Sequence, residues 1–315
     1  MLVRPGGDAA RGGGRKRVRV NGVARRATAL SGALRVVVFA PEEMLLIAGS
    51  PSLRRAALDR ITGARYPAYG PALATYTRAL QQRNGLLRAI REETAQRSEL
   101  RYWDGPFLDA GGEVVDLRLR VLAELARPLA AAHAEIAPDE AARAALGLRY
   151  ETNAPPHAGE SPREALERRL TETADKEAWN GTTLVGPHRD DLSFMLAGRD
   201  LAGFASRGQQ RTAILAFKLA ELDLLSALDG RPPLLLLDDV FSELDPERRS
   251  HLVRRIAALP QAFVTTTTLD DLDPALLAIA DSWRVEANAD SADLDPSGPG
   301  ARGATLTGPR RAAAP

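Results

Sequence analysis

An α/β fold, in which a sheet is flanked by helices and a helical lobe is inserted, is the class the sequence predicts. Three observations predict it: short leucine and β-branched runs alternate with helical stretches in the second half, a long stretch of three-and-four apolar spacing precedes them, and one four-leucine run ends in two aspartates. With 315 residues, 44% of them hydrophobic, the chain can bury one large core or two ordinary ones.

The elements follow in order. Residues 15–23, Arg-Lys-Arg-Val-Arg-Val-Asn-Gly-Val, alternate basic and apolar side chains into an Asn-Gly pair, which predicts a strand entering a type I′ hairpin turn. Residues 34–39, Leu-Arg-Val-Val-Val-Phe, form a second β-rich run, and Pro41-Glu42-Glu43 reads as a first helical turn with acids at its positive end. Helices are predicted over Arg54–Ile61, Ala72–Leu100 and Val115–Ile136, with the Tyr-Trp-Asp-Gly-Pro run at 102–106 as a turn. Residues 151–160 read as a linker, after which Ser161 as N-cap and Pro162 at the first helical position open a helix to about Trp179. A hairpin around Ala197-Gly198-Arg199-Asp200, a helix from about Gln209 to Leu228, a strand Leu234–Leu237, a helix over 246–258 and a strand Ala262–Thr265 complete the folded part. Beyond Glu286 there is almost nothing apolar to bury, which predicts a disordered tail.

Composition narrows the function classes. No stretch reaches the roughly 18 apolar residues of a membrane span, and no apolar core follows the N-terminal arginines as in a signal peptide, so a cytoplasmic location and no membrane partner are expected. Cysteine is absent and the histidines at 133, 157, 188 and 251 are scattered, which argues against a disulfide framework or a His/Cys metal site. The net charge is only +1, so a nucleic-acid footprint must be local. The first 35 residues supply one candidate, with Arg15, Lys16, Arg17 and Arg19 along the predicted strand and Asp8 as the single acid. A solvated face and contact with phosphates are both open readings of that run.

The strongest local signal is Leu234-Leu-Leu-Leu-Asp238-Asp239-Val-Phe-Ser242-Glu-Leu-Asp245. A fully apolar strand, expected to be buried on both faces, ends in two carboxylates at the edge where open α/β sheets bind ligands, a place to hold Mg²⁺ and orient a water. The alternative is that the acids cap the turn that follows. Upstream, Ser206-Arg207-Gly208-Gln209-Gln210-Arg211 opens an amphipathic helix with Ile214, Phe217, Leu224 and Leu228 on its buried side. Its first turn presents free N–H groups at a positive helix end, an anion site by geometry, or else is an ordinary capped helix.

Together these two motifs resemble the signature and Walker B motifs of ABC-type ATPases, and Ser242-Glu-Leu-Asp245 falls where those proteins have a D-loop. Within that superfamily, the run from Thr183 through Gly186-Pro187-His188-Arg189-Asp190-Asp191, the two motifs above and Val264-Thr-Thr-Thr are similar to the RecF family. The similarity extends back through Phe39-Ala-Pro-Glu-Glu and the run from Gly49 to Asp59 to the basic hairpin. The resemblance implies an ABC/SMC-like ATPase head with an incomplete lobe I at 1–65, a helical lobe II at 66–180, the lobe with signature, Walker B and D-loop at 181–286, and a tail at 287–315. It implies ATP and Mg²⁺ as cofactors, an ATP-dependent homodimer, DNA at single-stranded/double-stranded junctions, and RecO and RecR as partners in recombinase loading, with roles in replication, recombination, repair and the SOS response.

Carried onto this sequence, the resemblance makes Asp238 the Mg²⁺ acid and Asp239 the catalytic carboxylate, one methylene shorter than the usual Glu, which suits slow turnover. Ser206, Gly208 and Gln209 would meet the γ-phosphate held by the other subunit, Thr266 stands where transporters place a switch histidine, and Ser242 and Asp245 belong to the D-loop. For Arg189, an ion pair with Asp190 or Asp191 that holds the turn stands beside contact with nucleotide or DNA. The histidines at 133, 157 and 251 are expected to be solvated and without partners.

A P-loop needs Gly-x-x-x-x-Gly-Lys-Ser/Thr between a strand and a helix, so that backbone N–H groups and the lysine grip the phosphates. None of Lys16, Lys176 and Lys218 has that setting, and Gly12-Gly13-Gly14-Arg15-Lys16 precedes a strand and offers no Ser or Thr. The resemblance places the P-loop upstream of the hairpin, so the chain is expected to be an N-terminally truncated form, to which both cofactors would bind only with the missing loop. The alternative is a non-enzymatic DNA- or partner-binding protein that has lost ATP binding. A transporter ATPase or an SMC head with a long coiled coil fits less well, because the helical insert is short.

Overall fold

The computed structural model describes residues 18–20, 22–25, 35–287 and 304–311, which fall into two compact units, 1–236 and 237–315. In the first unit, β1 (Val18–Val20) and β2 (Val23–Arg25) pair antiparallel with Val20 opposite Val23, the two-residue hairpin that Asn-Gly predicts. Gly22 takes φ 81° in that turn. Arg19 is exposed on β1, whereas Arg15, Lys16 and Arg17 lie outside the described residues.

β3 (Val36–Phe39) buries Val37 and Phe39, and the turn Pro41–Met44 leads into α1 (Leu45–Ala48) and α2 (Pro51–Arg65). Next come α3 (Tyr69–Arg91), α4 (Arg101–Ile136) and the short α5 (Pro138–Ala141). The expected turn at 102–106 is wrong: those residues are the first turns of α4. The break lies instead at 92–96, where Glu93 takes φ 59°, and Gln96 and Glu99 form a capping box that restarts the helix. Pro106 is tolerated so close to the helix start because it forfeits a single bond, the one its N–H would make to Tyr102.

β4 (Leu146–Glu151), β5 (Asp191–Leu196) and β6 (Arg199–Asp200) form an antiparallel sheet in that order, with Ala197 and Gly198 at φ 51° and 74° in the predicted hairpin. Between β4 and β5 runs α6 (Pro162–Asn180), which starts after Ser161 as expected; a Ser161/Glu164 capping box opens it and Gly181 at φ 66° closes it. Tyr69, Tyr76, Phe107, Val114, Leu166 and Leu170 bring α3, α4 and α6 into one core. α4 and α6 approach so closely that a Cβ on Gly112 would sit 2.8 Å from the Cβ of Arg163.

After α7 (Leu201–Phe204) comes α8 (Arg207–Ser226), which differs from the expected amphipathic helix. Every residue from Thr212 to Leu222 is buried, because α4 and β3 both pack on α8. Two charges are therefore enclosed. Lys218 Nζ lies 2.6 Å from Glu43 and 3.3 Å from Glu221, and Arg60 approaches Glu221 at 3.6 Å, so the charges compensate one another. β7 (Leu234–Asp238) begins in this unit, where the Leu234 N–H donates to the Arg35 carbonyl at 2.9 Å.

The second unit holds the end of β7, α9 (Pro246–Ala257), β8 (Ala262–Thr265), α10 (Pro274–Ile279), β9 (Asp281–Ala287) and β10 (Ala304–Arg311). β7 is not buried on both faces as expected: Leu235 and Leu237 are buried, while Leu234 and Leu236 are only partly covered. Alternate strand residues point to opposite faces, and here one face alone is fully covered. The stretch expected to be a disordered tail also contains β10, which pairs antiparallel with β9, Leu306 opposite Val285. Ladder bonds to an existing strand order the backbone there without the apolar core whose lack suggested disorder. No helix among the described residues is long and apolar enough to cross a membrane.

Candidate functional site: a strand-end acid pair and a capped helix

β7 delivers Asp238 to an exposed position at its carboxyl end, and the chain then turns sharply, with Asp239 at φ 49°. That left-handed region is uncommon for residues other than glycine, and Asp is among those that tolerate it. The Asp239 N–H donates to both the carbonyl and the hydroxyl of Thr265, at 3.2 and 3.3 Å, and its carbonyl accepts from the Ser242 hydroxyl at 3.0 Å. Thr265 Oγ1 in turn donates to the Asp238 carboxylate. Neither acid caps the turn Phe241–Glu243, which has no side-chain cap, so the capping alternative falls away.

Asp239 Oδ1 is buried and has no hydrogen-bond partner. A buried carboxylate oxygen without a donor costs about 1–3 kcal/mol or more, a cost that a cation or an oriented water removes. The carboxylate chemistry fits Mg²⁺ and a water on this acid pair. The phosphate-gripping side of a nucleotide site has no such match, because the sequence contains no P-loop run.

The residues expected beside the acids divide. Ser242 touches the Asp239 backbone, whereas Asp245 caps α9 through the Arg248 N–H at 3.0 Å. Thr266 turns its hydroxyl to the Thr268 carbonyl at 2.7 Å, and it is Thr265 that bonds the acid pair. Reasoning from the sequence passed over Thr265. No signal in the sequence marks it, because its place beside the acids depends on which strand pairs with β7.

In the first unit, Ser206 is the N-cap of α8. Its Oγ accepts from the Gln209 N–H at 3.2 Å and its own N–H donates to Gln209 Oε1 at 3.0 Å, a complete capping box. Ser206 is exposed and Gly208 partly so, and a Cβ on Gly208 would meet nothing nearer than Ser206 Oγ at 3.9 Å. Within one chain this end is a capped helix open to solvent.

The 183–191 run is a joint. His188 Nδ1 lies 2.5 Å from the Tyr76 hydroxyl, and burial, with the nearby Arg189 and Arg55 charges, pushes the imidazole down to about 4, so it is neutral at pH 7. A Cβ on Gly186 would lie 2.4 Å from that same hydroxyl. The expected ion pair of Arg189 with Asp190 or Asp191 is absent: Arg189 donates to the Thr183 carbonyl at 3.2 Å, Asp190 accepts from Tyr150 at 2.6 Å, and Asp191 is paired with Arg54. Arg118, enclosed, ties Asp59 and the Pro187 carbonyl together at 2.7 and 2.9 Å. Of the remaining histidines only His157 is exposed as expected. His133 is buried and bonds Glu140 at 3.1 Å because α4 turns it inward, and His251 bonds Arg254 one helical turn away at 2.6 Å.

No protein-family model matches the chain. The chain is 41% identical over 266 residues to the DNA replication and repair protein RecF of Herpetosiphon aurantiacus, covering 84% of this chain and 67% of that protein. RecF of Symbiobacterium thermophilum is 40% identical over 263 residues, with 82% and 68% covered, and RecF of Bacillus subtilis 38% over 266 residues, with 82% and 70% covered. A solved structure of the recombination mediator protein RecF with ATPγS, in the RecFOR pathway, superposes with a TM-score of 0.74 at 32% identity, covering 82% of this chain and 70% of that one. A second, with ATP, gives 0.73 at 31% identity. The fold and its strand-end acids define an ABC/SMC-like ATPase head with a helical lobe. More particularly, the chain belongs to the RecF family of DNA replication and repair proteins.

Proposed function

We propose that this chain acts in the cytoplasm as an ATP-controlled homodimer on DNA, promoting recombinase loading at gaps and single-stranded/double-stranded junctions together with RecO and RecR. The observation that carries the nucleotide reading is the buried, donorless Oδ1 of Asp239 beside the outward Asp238 carboxylate. Asp238 holds Mg²⁺, and Asp239 orients the attacking water. Mg²⁺ bound there supplies charge neutralisation for the phosphates. Ser206, Gly208 and Gln209 present the α8 N-terminus to the γ-phosphate bound by the other subunit, Thr266 stands at the switch position and would have to release its hydroxyl from Thr268 to meet a phosphate, and Ser242 and Asp245 shape the D-loop. Arg19, with its neighbours Arg15, Lys16 and Arg17, tracks a phosphate backbone.

The second reading is a DNA- or partner-binding protein without ATP: within this sequence no lysine sits in a Gly-x-x-x-x-Gly-Lys-Ser/Thr run. Equilibrium ATP binding and light-scattering mass with and without ATP·Mg²⁺, measured on a chain that carries the P-loop segment expected upstream of the hairpin, separate the two. A doubling of mass with ATP, weakened by Asp238→Asn and retained in Asp239→Asn while turnover falls about 10²–10⁴-fold, is expected of the first. DNA binding with neither ATP affinity nor a mass change establishes the second.

A further inference from the structure

We propose that Thr265 is a positioning residue for the acid pair, its single hydroxyl fixing both the Asp238 carboxylate and the Asp239 main chain. The proposal rests on the reading of Asp238 as the metal carboxylate. The hydroxyl is used twice: its proton goes to Asp238 Oδ1, and a lone pair accepts the Asp239 N–H at 3.3 Å. A donor on Oδ1 holds the carboxylate against rotation and leaves Oδ2 for a cation.

The same contacts hold Asp239 in its left-handed conformation. Its N–H is shared between the carbonyl and hydroxyl of Thr265, and its carbonyl is tied to Ser242, so the peptide groups on both sides are pinned. Such a conformation persists in a residue with a side chain only where its surroundings over-determine it. In that conformation Oδ1 is buried without a donor. Thr266 cannot substitute, since its hydroxyl is engaged by Thr268 through both the carbonyl and the N–H.

Mn²⁺ titrated into the ¹⁵N-labelled full chain is the probe, because even weak binding broadens the amide signals nearest the ion. In the wild-type chain the amides of Leu237 and Val240 broaden first. Thr265→Val keeps the branched shape and loses the hydroxyl, and the Mn²⁺ needed for equal broadening rises about tenfold, the low end of the effect of hydrogen-bond partners on a ligating group. Thr265→Ala behaves like the valine variant, which separates loss of the hydroxyl from a packing fault, and Thr265→Ser behaves like wild type. Exchange of the Asp239 amide accelerates in the valine and alanine variants and not in the serine variant. Broadening of the valine and alanine variants at the wild-type Mn²⁺ concentration overturns the role of Thr265. Unchanged broadening in Asp238→Asn overturns instead the reading of Asp238 as the metal acid, and absence of selective broadening in the wild-type chain overturns both.

Discussion

His188 stands in the sequence beside an arginine and two acids, and its environment gives it a different character from the one that run suggests. The imidazole meets the Tyr76 hydroxyl, and its pKa falls from 6.5 to about 4, chiefly through burial. A base whose folded pKa is depressed binds its proton more readily when unfolded, so stability is present above pH 6.5 and is lost as pH falls toward 4. The loss contributed by this one group approaches roughly 3 kcal/mol. Urea melts between pH 7 and pH 4 should therefore show a steeper decline for the native chain than for His188→Gln, and parallel declines would remove the assignment. Asp190 shows the same burial effect on an acid, its carboxyl pushed up by desolvation. The Asp238-Asp239 pair could be read from the sequence because an apolar strand cannot end in two adjacent carboxylates without a reason. Thr265 could not, because the strand neighbour of an acid is fixed by register, which a single sequence does not display.

At the level of elements, local rules carried much of the reading. Ser161/Glu164 and Ser206/Gln209 are capping boxes whose spacing is visible in the chain, and both open helices where expected. The Tyr-Trp-Asp-Gly-Pro run failed because its proline falls within the opening turns of α4, where a helix held by packing tolerates one missing bond. The burial of α8 on every side was hidden for a related reason: Lys218 and Glu221 signal a polar face in sequence, and only the fold brings Glu43 to Lys218. That enclosure is testable. Lys218→Ala leaves the buried Glu221 and the part-buried Glu43 without the cation they share, with Arg60 3.6 Å from Glu221, and should cost about 3–5 kcal/mol in denaturant unfolding. Restoring part of that stability with Glu43→Gln in the same chain would identify uncompensated charge as the cause, and no restoration would point to impaired packing.

Across the whole molecule, a net charge of +1 makes DNA affinity depend on where the basic residues lie. If the hairpin tracks phosphates, charge reversal at Arg15, Lys16 and Arg17 lowers the slope of log affinity against log salt by about 0.7–0.9 for each phosphate that is no longer neutralised. A slope and affinity indifferent to all three would mean that the hairpin arginines are solvated. α4 carries a mechanical consequence. Its 36 residues make a rod about 54 Å long, seated against α3 and α6 in the helical core and against α8, whose N-cap is Ser206. A continuous helix does not absorb a displacement as a loop does; it passes the displacement on. A tilt of about 5° about one end of α4 would sweep its other end through about 5 Å, so a shift in how α8 seats on α4 is felt along the whole of the element that also carries α3 and α6.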